Sequence, residues 1–357
     1  MASALPSLVD RRFRNIAVLD FSLIGDLVML SPALRRLREA YPGAKLTLVA
    51  QPFARELFAA GNLADDVLVW DKKGEQRGLP GLLNLARRLR KGDFGAAFVF
   101  HRSFGSALAA YLARIPVRVG YRHELRDFLL THRAPEPEVP EHLAREHLHL
   151  LEAVGLGGNQ TMVEVDESRE SEGAFLENLK HRLDFDGRPV VVVCPRGGWP
   201  TKTWKPGQVS RLFDLYGVHQ ATFVLAGAPG EEKCAEGVYS VNNEVVNLVG
   251  KTTLRELIYL IRRADAVVSV DTAAVHLATA VGTPVVALFG PTAAERCGPA
   301  PGAKATVLYG KVNCLKCYLK KCSKDPFCMD TLEPEEVKVE LDRFLTQAVE
   351  STGRSEQ

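Results

Sequence analysis

The chain reads as an α/β protein built from two successive parallel-sheet units, and three observations predict this. Short runs of β-branched and aromatic residues alternate with helical patterns of ten or more residues, the sign of βαβ construction. The alternation lapses near residue 155 and restarts at RPVVVVCP (188–195). The length, 357 residues, also exceeds the roughly 250–300 at which a single core stops growing.

In the first unit NIAVLDF (15–21) is a strand and DLVMLSPALRRLREAYP (26–42) an amphipathic helix ended by Pro42-Gly43. KLTLVA (45–50) is the second strand, followed by the helix-like FARELFAAG and the strand DVLVW. GLLNLARRLRKG (81–92) is helical, AAFVFH (96–101) a strand, SFGSALAAYLARI a helix and VRVGY (117–121) a strand. The proline- and charge-rich THRAPEPEVPEHLAREH (131–147) is a connection into a helix over 142–154, and a further helix is expected after EVDESRESEG. RPVVVVCP then has the nearly continuous apolar character of a central parallel strand. It is followed by a helix over 206–216, the strand ATFVLAG (221–227), a helix over 230–240 and the strand VVNLVG (245–250). The helix LRELIYLIRRA, the strand AVVSV (266–270), a helix over 273–281 and the strand PVVALFG (284–290) complete the pattern. Domains are expected at 1–170 and 185–332, with 333–357 as a closing helix and tail packing back across the pair.

Composition excludes several classes. A hydrophobic share of 46% with 25% charged residues is that of an ordinary globular chain, and a net charge of +2 gives no global field for nucleic acid. No apolar run reaches the roughly 18 residues that span a bilayer. The opening MASALPSLVDRRFRN lacks the apolar segment of a signal peptide, so a cytoplasmic location is expected. Seven cysteines, an odd number with Cys194, Cys234 and Cys297 scattered, suit a reducing compartment better than a disulfide framework.

The candidate site lies where strands end. In a parallel sheet, ligands sit at the carboxyl ends of strands beside helix N-termini. Asp271 and Thr272 follow AVVSV and precede AAVHLATAV, whose first turn offers backbone N–H groups and partial positive charge to a diphosphate. Ala273 and Ala274 are small enough for close approach, and His276 lies one turn on. The same Asp and Thr would serve as plain helix caps and the His as a core residue, but two further loops leave the same sheet edge. CPRGGWPTKTWKPGQ (194–208) carries Arg196, Lys202 and Trp204, and LAGAPGEEK (225–233) carries Glu231-Glu232. Together they supply cations for phosphate and a carboxylate for ribose hydroxyls. No GxxxxGK[ST] or helix-opening GxGxxG is present, which counts against kinases and dinucleotide oxidoreductases. In the first unit, Gly25 permits a tight turn after the first strand, and Asp26 stands where a general base would take a proton from an acceptor hydroxyl; as a carboxylate at a helix start it is equally a cap.

These residues, with HRSFGSALAAYLARIPVRVGYR, PTKTWKPGQ, NLVGKTTLRELIYLIRRADAVVSVDTAAVHLATAVGTPVVALFGPT and CLKCYLKKCSKDPFCMDTLEPEEV in that order, resemble glycosyltransferase family 9, the lipopolysaccharide heptosyltransferases. The resemblance spans residues 15 to about 338. It implies a GT-B fold, two facing Rossmann-like domains with parallel sheets and an interdomain cleft. The implied reaction is inverting, metal-independent transfer of a heptose from ADP-L-glycero-D-manno-heptose to the lipopolysaccharide inner core (a Kdo/heptose acceptor). It implies Asp26 as base, Lys202 as donor-binding lysine, Glu231 as ribose carboxylate, and Asp271 and Thr272 on the diphosphate side. Arg196, Trp204, Ala273 and His276 complete the expected donor set; Ala273 stands where the family pattern has glycine. A relative using another nucleotide sugar, or a nucleotide-sugar epimerase of similar fold, is the alternative. No cofactor is required.

Basic residues of the first unit, in LARRLRKG (85–92) and at His101, Arg102, Arg114, Arg118, Arg122 and Arg126, would draw an anionic glycolipid acceptor at the inner face of the cytoplasmic membrane. Gly25, Arg102, Arg118 and Arg122 form the expected acceptor set. Four cysteines, Cys314, Cys317, Cys322 and Cys328, are spaced C-x2-C-x4-C-x5-C among five lysines. This spacing leaves open a structural metal or free thiols whose pKa the lysines lower.

Overall fold

The computed structural model describes residues 5–58, 61–72, 74, 76–166, 188–217, 220–241 and 243–352. The helix expected after EVDESRESEG lies outside the described residues. The chain divides into two compact units, residues 1–168 and 169–357.

The first unit is a six-stranded, wholly parallel sheet of β1 (Asn15–Leu19), β2 (Lys45–Ala50), β3 (Asp66–Val69), β4 (Ala96–Val99), β5 (Val117–Tyr121) and β6 (His132–Ala134). Its spatial order is β3-β2-β1-β4-β5-β6. The helices are α1 (Ile24–Val28), α2 (Ser31–Ala40), α3 (Ala54–Leu57), α4 (Gly78–Lys91), α5 (Phe104–Leu112) and α6 (Leu143–Glu152), with a 3-10 turn over Glu124–Leu129. The second unit repeats the plan with β7 (Val190–Cys194), β8 (Thr222–Leu225), β9 (Glu244–Asn247), β10 (Ala266–Val270), β11 (Val285–Phe289) and β12 (Ala305–Tyr309), in the order β12-β11-β10-β7-β8-β9. Its helices are α7 (Pro206–Asp214), α8 (Leu254–Arg263), α9 (Ala273–Val281), α10 (Ala294–Cys297) and α11 (Pro334–Thr352). Both orders are the doubly wound one. The first and fourth strands of each unit lie side by side, and their chains leave toward opposite edges, so each sheet has one switch point.

Burial explains the composition of the strands. Every residue of β7, β10 and β11 is buried, as expected where helices cover both faces of a parallel sheet. α11 packs on α7 and against β10 and β11, and its Val337 and Leu341 belong to the second unit's core.

Four local features differ from the sequence expectation. The helix read over 26–42 is broken into α1 and α2 at Met29-Leu30. Pro32 has no N–H for the carbonyl of Val28, and the Ser31 hydroxyl donates to that oxygen instead, at 2.7 Å. The helix expected over 230–240 shrinks to a 3-10 turn at Glu232–Cys234. Gly230 and Gly237 both have positive φ there, which an α-helix does not accommodate. The strands β6 and β12 have no counterpart in the sequence pattern. The first hides in proline-rich sequence, and the second is a half-buried edge strand with a weak apolar signal.

Candidate active site

At the switch point of the second sheet, the loop after β7 and the chain leaving β10 come together. The Lys202 ammonium lies 2.5 Å from Asp271 Oδ2, with the two side chains 14% and 9% exposed. The Thr292 hydroxyl, just beyond β11, donates to the same oxygen at 2.6 Å. A carboxylate this shielded needs such partners, because desolvation penalises its charge. Gly197 makes the approach feasible: a Cβ there would meet Lys202 Cβ at 2.8 Å and the Asp271 carbonyl oxygen at 3.1 Å.

Thr272 caps α9, its hydroxyl accepting from the Ala274 N–H at 3.1 Å. No acidic side chain occupies the first turn of α9, and Thr272 and Ala273 are only half-buried, so the positive end of this helix is open to an anion. On the adjoining strand end, Glu231 Oε2 accepts from the Ala228 N–H at 2.9 Å. Burial raises the Glu231 pKa, while the Ala228 hydrogen bond and the positive charge of Arg196 act in the opposite direction. Arg196, Lys202, Glu231, Asp271, Thr272 and Ala273 are thus gathered on one edge of one sheet.

Two expected donor residues sit differently. Trp204 is fully buried, its Nε1 donating to the Leu332 carbonyl at 3.1 Å, and it belongs to the hydrophobic core. It is therefore a packing residue, and the donor role expected of it is withdrawn. His276 is buried in α9, behind the helix start. The indole that does face the lysine is Trp199, which no sequence signal singles out. Lys202 Nζ lies 4.4 Å and Lys320 Nζ 5.4 Å from its ring centroid. Lys320 comes from the cysteine-rich loop, which the Thr201 hydroxyl holds by donating to the Leu319 carbonyl at 2.7 Å.

The four cysteines of that loop are free thiols. Cys328 packs against Gly290, where an added Cβ would meet its sulfur at 2.6 Å. Its pKa is pushed up to about 11, first by burial, with Cys317, Cys322 and Cys314 adding to the rise. For Cys328 the expected lowering by lysines is therefore reversed. Among the described residues no three His, Cys, Asp or Glu side chains form a group that could hold a metal ion.

At the switch point of the first sheet, Asp26 lies in the first turn of α1, half-buried, with Gly25 before it. The loop that delivers α1 is clamped on both sides. Buried Asp20 accepts from the Ser22 N–H at 2.9 Å and from its hydroxyl at 2.5 Å. The Gln51 amide donates to the carbonyls of Phe21 at 2.8 Å and Ser22 at 2.9 Å. His101, at the end of β4, stacks edge-on to Phe21. Burial raises the Asp20 pKa and lowers that of His101, and each charge partly offsets the other's shift. Asp20 and Gln51 escaped sequence reasoning because nothing local marks a loop clamp.

The arginines divide. Arg102 follows β4, paired with Glu146 at 3.2 Å and Glu136 at 3.4 Å and lying over the Tyr121 ring. Arg122 is exposed just past β5. Arg118 sits at the amino end of β5, away from the switch-point edge, and its guanidinium donates to the carbonyls of Leu129 and Ile115. It ties loops together, so its acceptor role is withdrawn. Arg126 is buried, donating to the carbonyls of Tyr121 and His101, and leaves the basic surface too.

Comparison with known proteins agrees with this construction. The family model for glycosyltransferase family 9 (heptosyltransferase) matches residues 82–327. The chain belongs to that family. Among curated relatives, lipooligosaccharide heptosyltransferase 2 of Haemophilus influenzae is 26% identical, over 82% of this chain and 88% of the relative. Lipopolysaccharide heptosyltransferase 2 of Escherichia coli is also 26% identical, over 79% and 84%. Among solved structures, a family 9 glycosyltransferase of Veillonella parvula superimposes with a TM-score of 0.83 at 21% identity, covering 94% of this chain and 98% of that one. The ADP-heptose lps heptosyltransferase II of E. coli gives 0.74 at 23% identity, covering 94% and 99%. The chain is a glycosyltransferase with the paired Rossmann-like units of the GT-B class, and in this family 9 enzyme the two switch points are where substrates are to be sought.

Proposed function

We propose that this glycosyltransferase moves a heptose from ADP-L-glycero-D-manno-heptose onto the inner core of a lipopolysaccharide at the inner face of the cytoplasmic membrane, inverting the anomeric carbon. One observation carries the donor half: Lys202 and the open N-terminus of α9 stand together at the second sheet's switch point. There an ammonium and backbone dipoles would take up the charge that develops on a departing ADP. Glu231 is suited to ribose hydroxyls, with Arg196 beside it. In the first unit the Asp26 carboxylate would accept the proton of the acceptor hydroxyl as its oxygen bonds to the anomeric carbon and the bond to ADP breaks. Arg102 and Arg122 suit the acceptor's carboxylates and phosphates. No step in this scheme calls for a divalent metal.

Asp26→Asn tests the scheme. It should lower kcat by at least a hundredfold, about the low end of what a general base contributes, and leave ADP affinity within about twofold. Full activity in Asp26→Asn would remove the proposed base. Preferential binding of UDP or GDP over ADP in calorimetric titration would remove the donor assignment. Conversion of the donor sugar without an acceptor would favour an epimerase.

A further inference from the structure

One face of the first unit, made by α4, α5 and the Glu124–Leu129 turn, breaks the usual rule for surface helices. Such helices turn charged or polar groups to water. α5, FGSALAAYL, contains no charged residue, and its outward positions Phe104, Leu108 and Tyr111 follow the i, i+4, i+7 spacing of one helix side. Phe104 and Tyr111 are exposed. Beside them the 3-10 turn holds out Leu125, 82% exposed, and Phe128, 64% exposed. The Phe104 and Phe128 rings lie 6.3 Å apart. On the other flank α4 exposes Leu79, at 63%, and Leu83. Both α4 and the turn pack on α5, so these side chains share one face. Contiguous apolar exposure of this kind marks an interaction surface.

Cations border the patch. The outward side of α4 continues from Leu79 and Leu83 to exposed Arg87, Arg90 and Lys91, and Arg114 and Arg122 are exposed in the loops after α5 and β5. Residues 78–91 and 104–123 contain seven arginines and lysines and no aspartate or glutamate; exposed Asp93, two residues past Lys91, and half-buried Asp127 in the turn are acids close by, leaving the cations in excess. A nucleic acid would satisfy the cations and leave the leucines against nothing apolar. A second copy of the same face would set cation against cation. An anionic bilayer satisfies both sets: large apolar side chains enter the headgroup boundary while arginine and lysine reach lipid phosphates.

We propose that this face docks the chain on an anionic phospholipid surface, with Phe104, Leu125 and Phe128 entering the headgroup layer and Arg87, Lys91 and Arg114 meeting phosphates. The proposal deepens the function proposed above, whose acceptor is a glycolipid, but its test needs no substrate. The full chain is sedimented with phosphatidylcholine vesicles, with and without phosphatidylglycerol. The expected result is binding that requires phosphatidylglycerol and weakens with salt. The triple variant Phe104→Ser/Leu125→Ser/Phe128→Ser should bind at least about tenfold more weakly, and Arg87→Gln/Lys91→Gln several-fold more weakly with a shallower salt dependence. Unchanged melting temperature of both variants, and for the triple variant unchanged transfer to a delipidated, soluble acceptor, would show that they are folded. Absence of wild-type binding to the anionic vesicles, or equal binding by the triple variant, overturns the proposal. So does a triple variant that only changes oligomeric state. Failure of the wild type to transfer heptose to the soluble acceptor, with vesicle binding intact, would strike the function and spare the docking face.

Discussion

Replacing Lys202 by methionine separates what this lysine does for the fold from what it does for a ligand. Lys202 and Asp271 are 2.5 Å apart and largely shielded from water. Removing one partner of such a pair leaves a buried charge, at a cost of about 3 kcal/mol. The Thr292 hydroxyl still donates to Asp271 Oδ2, so the charge keeps one partner and the loss should fall below that figure, at roughly 2 kcal/mol. In a unit of this size that lowers the melting transition by about 4–8 °C. Adding Asp271→Asn removes the stranded charge while the side-chain carbonyl still accepts from Thr292, so the double variant should recover most of the loss. ADP affinity should behave otherwise. A charge-assisted contact to phosphate is worth about 1.5–3 kcal/mol, so Lys202→Met should weaken ADP roughly ten- to a hundredfold, and Asp271→Asn should not restore it. Thermal melting and calorimetric titration of the four proteins check both arms. If Lys202→Met melts like wild type, the ion pair is not holding the loop. If it binds ADP like wild type, the lysine is not a phosphate ligand.

Burial leads to two further outcomes. His147 is buried on α6 with Nδ1 at 3.0 Å from the Met29 carbonyl, and burial depresses its pKa from 6.5 to about 4. A depressed histidine contributes stability that is present above the unfolded pKa near 6.5 and is lost as pH falls toward 4, here about 3 kcal/mol. His147→Asn, which keeps a donor in place of Nδ1, should flatten that part of the stability–pH curve in urea denaturation; parallel curves would contradict it. Trp204→Ala should destabilise the second unit by about 3–5 kcal/mol in thermal or urea unfolding, with ADP affinity of the folded fraction unchanged. A selective loss of ADP binding without loss of stability would return Trp204 to the donor site.

Legibility in the sequence tracked how local the physics is. β7 and β10 announce themselves as unbroken β-branched runs, because both faces of a central parallel strand are covered. Chain leaving the carboxyl end of such a strand falls at the ligand-bearing edge, so the sequence alone sets Lys202, Asp271 and Thr272 at one edge and Asp26 at the corresponding edge of the other sheet. Residues decided by distant partners were not legible. Trp199 and Trp204 are five positions apart in one loop, and only the Leu332 carbonyl, 128 residues on, explains why the second turns inward. Arg118 and Arg126 resemble solvent-facing cations until loop carbonyls take their guanidinium groups. The helix read over 230–240 had the right apolar spacing, but positive-φ glycines and the Glu231 and Glu232 carboxylates, which accept from the N–H groups of Ala228 and Gly230, hold the segment in turns.

The repeated topology also explains how one plan can serve opposite charges. Each sheet delivers a helix start, with its free backbone N–H groups, to its switch point. In the first unit the receiving helix, α1, is short and carries an acid, Asp26, in its first turn, so its free N–H groups face a carboxylate already in the chain. In the second unit α9 has no acid in its first turn, and the nearest one, Asp271, is bound by Lys202 and Thr292. The dipole there is left for an anion from outside. Placing an acid on α9 by Ala273→Asp would cancel that difference: at the proposed donor site it should weaken ADP in calorimetric titration while the melting temperature holds, and unchanged ADP affinity would show that the start of α9 is not the phosphate site.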